Sequence, residues 1–242
     1  ISKWDVSSVT NMASMFMNAA VFNIDISNWD VSRVTTMEKM FHTTKQETSF
    51  EHELCGDAWV HSKANKESMF DGSSGSISSV VCQHVSRRPI PDRELIAMTT
   101  SVSTITQTIR VFSPQSRDEL KRVCDECLKV SPNGDCSNGP HGPMDGWDVS
   151  KITDMDDMFR YETFNSDISK WDVSSVTTMN ALFAGATLFN GDVSKWDVSS
   201  VSVMTSMFTS ASSFNIDISN WDVSRVKRMN YMFWQATSFK QQ

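Results

Sequence analysis

Apolar and polar positions follow two different rhythms along this chain, and the switch between them recurs. Residues 22–27 place Phe22, Ile24 and Ile26 on every second position, which predicts a short strand. From Val34 onward the apolar positions are Val34, Met37, Met40 and Phe41, the spacing of one helical face. Thr35, like Thr10 in an earlier copy, stands where it would cap that helical segment. Strand, turn and helical segment together fill one unit of 25 residues.

The unit then returns. FNIDISNWDVSRV at 22–34 recurs letter for letter at 214–226, and Trp followed by Asp-Val-Ser stands at Trp4, Trp29, Trp147, Trp171, Trp196 and Trp221. The intervals are 25 residues from Trp4 to Trp29, then 24, 25 and 25 in the second group. A fixed period in this range means stacked supersecondary units. The expected fold class is a leucine-rich-repeat-like repeat solenoid, with short parallel strands about 4.8 Å apart and short helical segments.

Columns of equivalent residues become the unit of argument. The Met column (Met12, Met37, Met155, Met179, Met204, Met229) and the Phe column (Phe16, Phe41, Phe159, Phe183, Phe208, Phe233) never turn polar and predict the core. An Asn column (Asn23, Asn165, Asn190, Asn215) suits a hydrogen-bonded ladder at the bend of each coil. Two columns vary freely and are expected to face solvent. They supply the candidate recognition surface: Ile24, Asn28, Lys170, Lys195, Ile216 and Asn220.

Regularity breaks after Phe41, and the breaks divide the chain. Residues 1–50 end a first array, and 51–82 read as a degenerate capping coil with Leu54 in the Ile26 column and Cys55 in the Ser27 column. Residues 83–112 are a connector with strand character over 101–112. Residues 113–146 form an N-terminal cap, opened by the capping box Ser116-x-x-Glu119 and a helix running to about Val130. Its apolar face is Leu120, Val123, Cys127 and Leu128. Residues 147–242 make the second array, expected to stand apart from the first rather than run on as one coil. Both ends of the sequence fall inside a repeat, so we read it as part of a longer protein.

The unit F-N-x-D-I-S-x-W-D-V-S-x-V-T-x-M-x-x-M-F resembles the BspA-like leucine-rich-repeat surface proteins over about two thirds of the chain. The closing and opening segments are similar to that family's intervening segments. The resemblance implies a right-handed solenoid, an extracellular or cell-surface setting, and binding or adhesion to a protein or glycan without catalysis. Two features depart from it: the Cys124/Cys127 pair and the shortened repeat at 161–164. The alternative is a scaffold subunit of an intracellular or organellar assembly, which reduced cysteines would favour.

Charge and chemistry narrow this only slightly. A formal charge of −7 argues against nucleic acid as a partner, and no run of apolar residues is long enough to span a membrane. His42, His52, His61, His84 and His141 are scattered, and Cys124-x-x-Cys127 lacks the context of a redox or zinc site, so no cofactor and no enzyme chemistry are expected. The Asp columns are the weak calcium candidates: Asp25, Asp30, Asp192, Asp197, Asp217 and Asp222. Acidic β-helix repeats that bind calcium carry Gly-rich loops, which this repeat does not. The alternative is that each Asp accepts backbone N–H groups in its own turn. Cys55 and Cys82 lie 27 residues apart, one repeat plus small insertions, which places them one coil apart and within disulfide reach. Cys136 is expected to pair with Cys124 or Cys127. Such bonds persist outside the reducing cytosol.

Overall fold

The computed structural model describes residues 1–44, 50–82 and 111–241. Consecutive units stack one on the next, joined by hydrogen bonds between residues about 25 apart. Met12 N donates to Thr36 O, Ser14 N to Glu38 O, Phe16 N to Met40 O and Asn18 N to His42 O. The amides between them close turns within the coil: Met15 N to Met12 O, Met17 N to Ser14 O, Ala19 N to Phe16 O. Ala13 N donates to Asn11 Oδ1, so every amide from Met12 to Ala19 is satisfied without a helix.

That is where the structure departs from the expected strand-and-helix unit. The stretch from Val34 to Phe41 is a run of turns rather than a helix, and Thr35 caps nothing. Its hydroxyl donates instead to the carbonyl of Thr10 in the neighbouring coil, 2.9 Å away. Residues 22–27 form no regular strand; the parallel bridges fall at the Thr36 column. In four coils two non-glycine positions sit in the left-handed region, for example Ser206 and Ser210, or Tyr231 and Gln235, whereas in the coil of Ala181 the second is Gly185. Each costs about 1 kcal/mol and persists because the ladder over-determines it.

The core follows the columns. The Met and Phe columns are buried, and their rings stack at regular intervals: Phe159–Phe183 at 5.7 Å, Phe183–Phe208 at 5.6 Å and Phe208–Phe233 at 5.7 Å. Trp196 donates its indole N–H to Ile168 O and Trp221 to Val193 O, each a carbonyl of the preceding coil, and Trp147 donates to His141 O and Gly142 O of the cap. The Asn ladder is present: Asn165 Oδ1 accepts from Asn190 N, and Asn190 Oδ1 from Asn215 N, both at 2.9 Å.

The two arrays do not stand apart. Single parallel bridges run in one line through Asp154, Thr178, Val203, Arg228, Asn11, Thr36 and Asn65. The coil of Trp4 therefore follows the coil of Trp221. Trp4 Nε1 donates to Ile218 O at 3.0 Å, and Phe16 stacks on Phe233 at 5.6 Å, the same step as inside an array. The apolar face of the Trp4 coil packs on that of the Trp221 coil.

The closed ends differ. At one, α1 (Asp57–Val60) interrupts a coil whose short strands β1 (Glu53–Leu54) and β2 (Ser76–Ile77) pair in parallel. Trp59, carried by α1, takes the tryptophan position and donates to Ile26 O at 3.0 Å. Cys55 is bonded to Cys82, with a Cα separation of 5.2 Å. At the other end α2 (Arg117–Val130) is capped by Ser116, which accepts from Glu119 N, and it buries Leu120, Val123, Cys124, Cys127 and Leu128. A 3₁₀ turn, Met144–Gly146, leads from it into the first coil. Cys127 is bonded to Cys136, and Cys124 remains a buried free thiol whose pKa burial pushes upward. The strand read over 101–112 lies mostly outside the described residues, as does His84.

Candidate functional site

Two of the six candidate recognition residues are not where an exposed column should put them. Ile24 and Ile216 are half-buried and pack against the core. Alternation along 22–27 already assigned Ile24 to the face of Phe22 and Ile26, and the variable column hid that. Asn28, Lys170, Lys195 and Asn220 are exposed. Lys170 pairs with Asp145 at 2.7 Å. Asn28 edges a broad hollow of about 870 Å³ that opens where α1 displaces the capping coil. Its tryptophan, Trp29, is buried, so the hollow offers mainly polar side chains such as Arg33, His61 and Lys63.

The calcium candidates are engaged locally. Ser N–H groups two residues on donate to Asp25, Asp30, Asp192, Asp197, Asp217 and Asp222 at 2.9–3.0 Å. Among the described residues, no group of three or more His, Cys, Asp and Glu side chains is gathered to hold a metal ion. The serine hydroxyl and then its backbone N–H hold Asp167, Asp192, Asp197 and Asp222 below the ordinary carboxylate pKa. A depressed folded pKa contributes stability that is complete above the unfolded value of about 3.9 and is lost as pH falls through the folded value. Asp197→Asn retains an acceptor oxygen but cannot titrate. Its thermal midpoint is expected to fall less than that of the parent between about pH 4 and pH 2, measured by calorimetry across pH.

The feature that sequence reading missed is a groove of about 340 Å³ on the turn-rich face of the second array. One wall is Tyr161 and Arg160, with the guanidinium 4.9 Å from the ring centroid. The other is Tyr231 and Trp234, edge to face at 6.0 Å. These walls stand three coils apart, about 14 Å. The floor is Ala181, Ala184 and Gly185 on one coil and Ser206 and Ser210 on the next. Tyr161 is 71% exposed, Tyr231 is exposed and Trp234 is half-buried. Trp234 Nε1 is shielded from solvent and has no hydrogen-bond partner among the described residues.

Gly185 shows that the groove is shaped by its neighbours. Its φ is +73°, yet the same column carries Asn18, Ser210 and Gln235 at φ of 56°. Backbone conformation alone does not require glycine here. A Cβ at Gly185 would run into the ring of Tyr161, so the glycine makes room for that wall. Sequence offered one signal: the columns holding Tyr161 and Tyr231 vary from coil to coil, but a helical reading did not place both on one face.

The sequence profile of a family described as "Mycoplasma protein of unknown function, DUF285" matches residues 1–81 and 134–242. The chain belongs to this family. The match to DUF285 takes in all the coils of the stack and leaves out 82–133, which includes α2. Searches of curated proteins and of solved structures found no match.

Proposed function

We propose that this chain is a non-catalytic binding module that acts outside the cell or at its surface. In this reading the stack is a leucine-rich-repeat-like solenoid akin to the BspA-like surface proteins, and its ligand is a glycan seated between Tyr161 and Trp234. The groove carries the reading. The exposed rings of Tyr161 and Tyr231 and the half-buried ring of Trp234 offer flat apolar faces, while Ser206, Ser210 and Asn180 offer hydroxyl and amide groups beside them. That combination suits sugar rings, whose C–H faces are apolar and whose edges are hydroxyls. The two disulfides support an oxidising compartment.

A glycan microarray probed with the parent chain and with Tyr231→Ala tests this. The parent is expected to retain a defined set of glycans, and Tyr231→Ala to lose at least ~10-fold in affinity for them, with its melting temperature unchanged. Gly185→Ala, which displaces Tyr161, is expected to weaken the same glycans. An array that retains nothing, or retention indifferent to both substitutions, would overturn the assignment.

A further inference from the structure

The step between the coils of Trp221 and Trp4 joins two parts of the chain, 111–241 and 1–82. Neither disulfide crosses it: Cys55–Cys82 lies within one part and Cys127–Cys136 within the other. One segment links the parts, the 28 residues 83–110. It departs from Cys82 at one end of the stack and returns at the other, where Phe112 O accepts from Asp148 N at 2.9 Å. The coils of Trp147, Trp171, Trp196, Trp221, Trp4, Trp29 and Trp59 separate these points, six steps or about 29 Å. A 28-residue chain can reach about 95 Å.

The seam itself is as well made as any internal step. Tyr231 N, Phe233 N and Gln235 N donate to Ala13 O, Met15 O and Met17 O, each at 2.9 Å. Phe22 stacks on Phe239 at 6.1 Å, and Phe214 on Phe239 at 6.0 Å. Opened, the two faces expose Phe233 and Phe239 on one side and Trp4, Phe16 and Phe22 on the other. Hydrogen bonds cross the step in both directions: Thr10 N and Trp4 Nε1 donate from one face to Lys227 O and Ile218 O, and the amides of Tyr231, Phe233 and Gln235 donate from the other. The remaining ends of the stack are closed by α2 and by the Cys55–Cys82 coil.

We propose that this seam is an interaction surface for a second copy of the chain. Residues 1–82 of one copy dock on residues 111–241 of another and reciprocally, giving a dimer of two such stacks. The contacts are those already described, so the dimer needs no new interface. In dilute solution each copy closes on itself, because a link of this length gives an effective concentration on the order of millimolar. The groove from Arg160 to Trp234 lies wholly in one part, so an exchanged dimer carries two intact grooves.

Thr10 N donates to Lys227 O across the seam at 2.9 Å, and both side chains are exposed. Full-length chains bearing only Thr10→Cys are mixed with chains bearing only Lys227→Cys, unfolded with native disulfides intact, and refolded together. A disulfide between positions 10 and 227 of different chains, in excess of that formed when the two chains are refolded separately and then mixed, reports exchange of the parts. It is expected in a few per cent of chains refolded at about 10 µM and in on the order of half at about 1 mM. A chain lacking 85–106 cannot span the stack and is expected to be dimeric even at 10 µM by native mass spectrometry. Monomer at every concentration, or dimer without the mixed disulfide above the level of Thr10→Cys alone, would overturn the proposal. Should the shortened chain fail to fold, the full-length mixture decides.

Discussion

Met179→Asp is expected to abolish the folded stack at neutral pH. Met179 is fully buried, its amide donates to Val203 O at 3.0 Å, and its carbonyl accepts from Leu182 N. Its side chain belongs to a column that is methionine in every regular coil, so a carboxylate there meets no partner. An uncompensated buried charge exceeds about 4 kcal/mol, a large share of the 5–15 kcal/mol that holds a typical domain. Because each coil packs only on its neighbours, the loss propagates in both directions. Lys195→Asp, in an exposed column, is expected to change stability by less than about 0.5 kcal/mol. Circular dichroism melts distinguish the two. Equal damage from both would show that the columns are wrongly assigned.

Removing the Cys55–Cys82 bond is the second large effect. Replacing both residues by serine is expected to lower stability by about 3.5 kcal/mol, the chain-entropy contribution of a loop of 27 residues. The loss falls on the coil that carries β1, α1 and β2, where the stack has a neighbour on one side only. Cys82 N also donates to Cys55 O at 2.9 Å, so hydrogen exchange at that amide is expected to quicken first. Denaturant unfolding of parent and double variant gives the magnitude. In non-reducing peptide maps of the parent, Cys124 is expected to be the one free thiol and to resist alkylation until unfolding, because it is buried.

Much of the core could be read from the sequence because burial acts on columns. Met179, Phe183 and Trp196 recur at one spacing, and every equivalent is buried. Cys55 and Cys82 could be paired because one coil separates them in space as in sequence. The same spacing misled at Val34, Met37 and Phe41. A helix and a run of overlapping turns both bring residues three and four apart to one face, and only the left-handed residues between them tell the two apart. Ser14, Lys39, Asp157 and Tyr231 carry no sequence mark of that conformation. Trp59 was missed because α1 shifts it along the chain. The choice of Cys127 over Cys124 depends on how α2 docks, which no spacing shows. The groove needed Tyr161 and Tyr231 placed on the same face, and so depended on the turn geometry.

The seam was hidden for a different reason. The coils of Trp4 and Trp221 lie far apart in chain order, and no repeat spacing shows that their apolar faces stack on each other. Native-state hydrogen exchange tests this single stack most directly. The amides of Tyr231, Phe233 and Gln235, bonded across the seam, are expected to be protected to within about 10-fold of Ser206, Phe208 and Ser210, bonded inside the array. Exchange of the first three at the rate of open amides, with the second three still protected, would contradict the account.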